Sequence, residues 1–126
     1  MTVKLAAVTF DCKDALSVAK FWSAALGRPL DAKSSNNFAS IGMPEHRDTR
    51  GWRLNDEPTW LFAKVPEPKI AKNRMHVDLA APDREAEVAR LVELGAIRVA
   101  DMNEWGYEWT VLQDPEGNEF CVAQIR

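Results

Sequence analysis

Cysteine, long apolar runs and excess positive charge are all scarce in this sequence, and each scarcity closes off a class of protein. The two cysteines, Cys12 and Cys121, cannot make a disulfide framework, and one isolated pair in a reducing compartment reads as two free thiols. No apolar stretch approaches the roughly 20 residues that a membrane-spanning helix needs. The opening MTVKLAAVTFDC lacks the basic start, long apolar stretch and small-residue cleavage site of a secretion signal, so a cytoplasmic location is expected. Basic residues do not predominate either: 16 Lys and Arg against 19 Asp and Glu give a net charge of −3. Without a basic stripe, neither nucleic acid nor an anionic membrane is an expected partner. The loose run Lys64, Lys69, Lys72 and Arg74 reads as a solvated connector.

What the 126 residues do contain, 46% of them hydrophobic and 28% charged, suffices for one globular domain with a sizeable core. Its organisation repeats. KLAAVTFDC has the β-rich alternation of a strand, Asp14 is placed to cap a helix over ALSVAKFWSAAL, and Gly27 ends that helix before the extended stretch RPLDAK. The second half runs in the same order: NRMHVDLAA as a strand, Asp83 as cap, REAEVARLVEL as helix, Gly95 as stop, then AIRVAD. Leu26-Gly27 and Leu94-Gly95 are offset by 68 positions and the caps Asp14 and Asp83 by 69, as two copies of one unit would be.

Each unit continues in strand. FASIGM and TWLFAKV flank the long polar loop PEHRDTRGWRLNDEP in the first; WGYEWTVLQ and NEFCVAQI flank the turn DPEG in the second. The pattern predicts an α+β domain over residues 1–126, built as βαβββ twice, with module 1–67 and module 73–126 joined by a Pro/Lys hinge at 66–73. Each copy has too few strands to close a core alone, so the two are expected to pack together, within one chain or between chains.

Two features carry chemical potential. His76 alternates with Arg74 and Asp78 on one face of its strand, while Met75, Val77 and Leu79 occupy the other, which is expected to pack under a helix. An imidazole there exchanges protons near neutrality, or is held structurally by a neighbouring carboxylate. Arg74 can grip a carboxylate or phosphate in bidentate fashion. The second feature is aromatic. Among five tryptophans, Trp105 and Trp109 alternate with Tyr107 so that all three project from one side of a strand; Trp22 reads as core. His46, in the long loop, reads as exposed, and Cys121 as a small buried residue.

Taken together, FWSAALGRPL, KNRMHVDLAAPD, the helix end LVELGA and DPEGNEFCV resemble the vicinal oxygen chelate superfamily, particularly its glyoxalase-like and bleomycin-resistance-like members. The resemblance covers essentially the whole chain, and the order of the motifs is more specific than any one of them. It implies two βαβββ modules forming a cupped, incomplete barrel, the glyoxalase/bleomycin resistance/dioxygenase-like fold, commonly as a homodimer. It also implies, for metal-dependent members, four ligands lining the cup, on the first and last strand of each module. His76 matches one. Its first-module counterpart is Ala7 by the cap offset or Val8 by the Leu-Gly offset, TWLFAKV offers no Glu, Asp or His, and the final position holds Cys121, with Glu119 two residues earlier.

The expectation is therefore a small-molecule-binding glyoxalase-like protein without the family's metal site or any other cofactor. A planar or aromatic organic ligand would lie in the cup against Trp52, Trp60, Trp105, Tyr107, Trp109, Arg74 and Cys121, with His76 and Glu119 as candidate acid–base groups. One alternative is a metal-dependent lyase, isomerase or dioxygenase with a divalent ion at His76 and Cys121 or Glu119, where a thiolate would favour zinc. Another is a drug-sequestering protein of the bleomycin-resistance kind, which binds without turnover.

Overall fold

A computed structural model of the chain describes residues 2–44 and 56–125, and they divide into two compact units, Met1–Pro68 and Lys69–Arg126. Both units are α+β, each with one helix and one open sheet. Among the described residues no helix is long and apolar enough to cross a membrane.

The first unit contains strand β1 (Ala7–Cys12), helix α1 (Ala15–Leu26) and strands β2 (Phe38–Ile41) and β3 (Thr59–Lys64). Its sheet order is β1-β3-β2, with β1 parallel and β2 antiparallel to β3. The Asp14 carboxylate caps α1 by accepting from the Ser17 backbone N–H at 3.2 Å, and Gly27 closes it at φ 65°, a left-handed conformation that costs a glycine little. The buried stripe Ala15, Val18, Ala19 and Trp22 has the i, i+3, i+4, i+7 spacing of a helix face. Against it lies an aromatic cluster: Phe10 of β1 and Trp60 of β3 sit 5.5 and 5.0 Å from Trp22 between ring centroids, and Phe10 stacks on Phe62 at 5.4 Å. The even-numbered residues of β1 and β3 therefore meet the helix, and alternation sends Ala7, Thr9, Leu61 and Ala63 to the uncovered face.

RPLDAK, expected as a strand, contributes only one bridge, Leu30 to Ile41. Pro29 has no N–H for a ladder. Beyond it Asp31 turns the chain, its carboxylate accepting from Ser40 Oγ at 2.6 Å and from the Met43 N–H at 2.9 Å, while its carbonyl accepts from the Ser34 N–H at 3.1 Å.

The second unit is a full βαβββ: β4 (Val77–Ala81), α2 (Arg84–Leu94), β5 (Ile97–Glu104), β6 (Tyr107–Gln113) and β7 (Glu119–Gln124). Its sheet order is β4-β7-β6-β5, with β4 parallel to β7 and the other pairs antiparallel. Asp83 caps α2 by accepting from the Ala86 N–H at 3.1 Å, and Gly95 ends it at φ 120°. Val88 and Leu91 of α2, with Thr110, Leu112, Phe120 and Val122 of the sheet, are all buried.

Two expected boundaries move. The strand in NRMHVDLAA begins at Val77, so Arg74, Met75 and His76 precede it, and Met75 is 86% exposed rather than packed under a helix. Trp105 leaves the strand altogether. With Gly106 it forms the two-residue link between β5 and β6, at φ 53° and 79°, because two central residues at positive φ give a hairpin turn the twist its flanking strands require.

Trp22, fully buried with rings on several sides, anchors the first unit. Trp22→Ala is expected to lower unfolding free energy by about 3–5 kcal/mol, read from urea denaturation. A loss below about 1 kcal/mol would mean that this cluster does not hold α1 to its sheet.

Candidate functional site

Residues paired across strands share a face, so the registers of the second sheet define what stands opposite α2. Asp78 pairs with Cys121, Cys121 with Val111, Ala123 with Trp109, Trp109 with Met102 and Tyr107 with Glu104. The face left uncovered by α2 thus carries a polar end, Asp78 and Cys121, and an apolar end, Trp109, Tyr107 and Met102. His76 joins the polar end from just ahead of β4, with Nε2 3.4 Å from Asp78 Oδ1. One ligand-capable atom from each of His76, Asp78 and Cys121 lies within 4.8 Å of the others.

The three differ in setting. Cys121 is buried, whereas the side chains of His76 and Asp78 are 39% and 69% exposed. Burial, reinforced by the nearby Asp78 carboxylate, pushes the Cys121 thiol up to about 11. At neutral pH it is therefore a protonated thiol, a poor nucleophile.

Glu119 shares this face, two residues along β7, but its carboxylate is engaged elsewhere. One oxygen accepts from Lys69 Nζ at 2.8 Å and the other from the Asn73 backbone N–H at 2.9 Å. Burial alone would raise its pKa, but the ammonium and the amide outweigh it and hold the carboxyl at about 2. Beside it, Asp114 folds the DPEG turn, its Oδ1 accepting from the backbone N–H groups of Glu116 and Asn118, both at 2.9 Å. Asn118 Oδ1 in turn accepts from Asn73 Nδ2 at 3.3 Å. Turn, strand start and the segment leading into His76 are thereby tied together.

A family model of the glyoxalase-like domain matches residues 7–123. The chain belongs to the glyoxalase-like domain family. With it comes membership of the vicinal oxygen chelate superfamily, and solved structures agree on the fold. A glyoxalase/bleomycin resistance/dioxygenase family enzyme from Burkholderia phytofirmans PsJN superposes at TM-score 0.72 and 16% identity, over 98% of this chain and 100% of that one. The fosfomycin resistance protein FosX from Mesorhizobium loti gives 0.69 and 11%, over 100% and 95%. A bleomycin-binding protein from Streptomyces verticillus, complexed with copper(II)-bleomycin, gives 0.62 and 15%, over 100% of both. Comparison with curated protein sequences gives no significant match.

Against the four-ligand metal site implied by the glyoxalase-like resemblance, the matching positions of the first module, among the described residues, supply little. Shifting His76 and Asp78 back by the 69-residue cap offset gives Ala7 and Thr9, and Thr9 pairs with Leu61 as Asp78 pairs with Cys121. Ala7 and Leu61 offer no metal-binding atom and Thr9 only a hydroxyl, so the described residues at these positions do not fit a four-ligand ion. Of the other candidates, Arg74 is exposed ahead of β4, Trp105 and Tyr107 are 85% and 69% exposed, and Trp109 is half-buried. Trp60, expected against the ligand, instead packs under α1, since its place in β3 puts it on the helix side. Trp52 and His46 lie outside the described residues. Asp78 is the group that sequence reasoning did not select; its alternation with His76 was visible, but only the parallel β4–β7 register brings it to Cys121.

Because the Glu119 carboxyl titrates lower folded than its ordinary value of 4.5, its stabilisation is complete above that value and lost as pH falls toward 2. Glu119→Gln is expected to be less stable than the parent by about 2 kcal/mol at pH 7, with the gap closing between pH 4.5 and 2 in urea denaturation. A gap independent of pH would contradict the charged tie to Lys69.

Proposed function

We propose that this glyoxalase-like chain binds a planar or aromatic organic molecule on the uncovered face of the β4-β7-β6-β5 sheet. The observation that carries the reading is the register that gives Trp109 and Tyr107 the same face as Asp78 and Cys121, with His76 beside Asp78. A ring laid on the indole and phenol gains stacking of roughly 0.5–1.5 kcal/mol per pair beyond area burial, while its polar substituents reach the His76 end. Exposed Arg74, two residues before His76, is available to an anionic substituent. His76 is the group for acid–base chemistry, since the Cys121 thiol is protonated and both oxygens of Glu119 are engaged.

That short supply of free catalytic groups also favours a second reading, binding without turnover. The copper(II)-bleomycin complex of the Streptomyces verticillus protein is a precedent on this fold for ligand capture.

Both readings are tested by quenching of tryptophan fluorescence with a panel of planar aromatic acids and bases, followed by chromatography of each bound compound after prolonged incubation. The expected result is saturable quenching by some of the panel, weakened at least about tenfold, or roughly 1.4 kcal/mol, by Trp109→Ala. A conversion product that disappears with His76→Ala selects the catalytic reading; an unchanged ligand selects capture. Binding that is indifferent to Trp109→Ala would overturn the placement of the site.

A further inference from the structure

We infer, resting on the organic-ligand reading of this face, that the ligand is an elongated planar molecule of several fused rings and that Trp105 selects it by closing on its far end. Trp105 lies at φ 53° and is, among the described residues, the one non-glycine at positive φ. A bulky side chain crowds its own backbone there, and the first position of a two-residue hairpin turn of this kind favours Asn, Asp or Gly. The indole gains nothing from the fold in return. It is 85% exposed and makes no ring contact or hydrogen bond with a described residue, whereas Trp22 and Trp60 are buried in one cluster. An unfavourable backbone kept for an exposed ring points to a partner outside the chain.

The registers say how long that partner is. Successive rows on one face of a sheet stand about 7 Å apart along the strands. Here the row of Asp78 and Cys121 is followed by that of Ala123 and Trp109, then by Tyr107 opposite Glu104, and then by the turn itself. A molecule that meets the polar row and reaches Tyr107 therefore spans about 13 Å, more than a single ring covers. Ala80 and Ala123 pair in the middle row, and their methyl groups leave room for a flat body to lie across. Trp109 and Tyr107 underlie it, and the Trp105 indole folds over the end that passes them. The ordinary explanation, a tryptophan tolerated in an exposed turn, predicts no link between ring number and position 105.

The test uses the full chain and calorimetric titration with benzoic, naphthoic and anthracenecarboxylic acids and the matching amines. In the parent, affinity is expected to rise with ring number within the acids, the amines or both. Trp105→Asn should raise the urea midpoint of unfolding, because asparagine suits the turn. The same variant should weaken three-ring binding at least about tenfold while changing one-ring binding less than about twofold. Trp105→Phe, which keeps a ring, should retain most of the three-ring affinity. An unchanged or lower urea midpoint in Trp105→Asn, equal weakening of one-ring and three-ring compounds, or affinity indifferent to Trp105→Asn would each overturn the inference. Trp109→Ala separates the two proposals. If it weakens every bound compound while Trp105→Asn weakens none, the role of Trp105 fails and the proposed function stands. If no member of the series binds, or Trp109→Ala is without effect, both fail.

Discussion

Parallel pairing between the first and last strand of each module, β1 with β3 and β4 with β7, is the constraint on which the rest depends. A parallel pair cannot be closed by a tight turn; the chain must cross over, and in each module it crosses through the helix that follows the first strand. That helix covers one side of its sheet. The other side is left uncovered by anything in the module, and it is there that exposed and half-buried side chains of mixed chemistry collect. In the second module the same pairing sets Asp78 beside Cys121, residues 43 positions apart in sequence (121 − 78). In the first it sets Thr9 beside Leu61. One architecture thus serves twice, and the paired positions carry a carboxylate and a thiol in one copy and a hydroxyl and an alkyl chain in the other.

Much of this was legible in the sequence because the signals are local. The caps Asp14 and Asp83, the helix-ending Gly27 and Gly95 and the Asp114 turn each act within a few residues, and each is found as read. The departures have local causes that compete with periodicity. RPLDAK has strand composition, but Pro29 and the hydrogen bonds to Asp31 leave it a single bridge. Trp105, Tyr107 and Trp109 alternate in WGYEWTVLQ, yet the two-residue turn takes Trp105 and Gly106 out of the strand.

The site was less legible because it depends on register. Alternation showed that His76 and Asp78 share a face, and that Glu119 and Cys121 do. Which of them meet is decided across strands. Parallel pairing brings Asp78, rather than Glu119, into the cluster, while Lys69, 50 residues before Glu119 in the chain, occupies that carboxylate. Trp60 illustrates the same limit: its aromatic character suggested a ligand wall, and the parity of β3 relative to Phe10 and Phe62 commits it to the helix side. Residue type is visible at once in a sequence; facing is not, unless the pairing is known.

The central claim is the reading proposed above, that a planar organic molecule lies on the second module's uncovered face against Trp109 and Tyr107. The most direct measurement is diffraction from crystals soaked with a planar aromatic compound that quenches the tryptophan fluorescence. The account predicts density for its ring against Trp109 and Tyr107, with its polar substituents toward His76. Density placed elsewhere on the chain, or none on this face from a compound that saturates in solution, would contradict it.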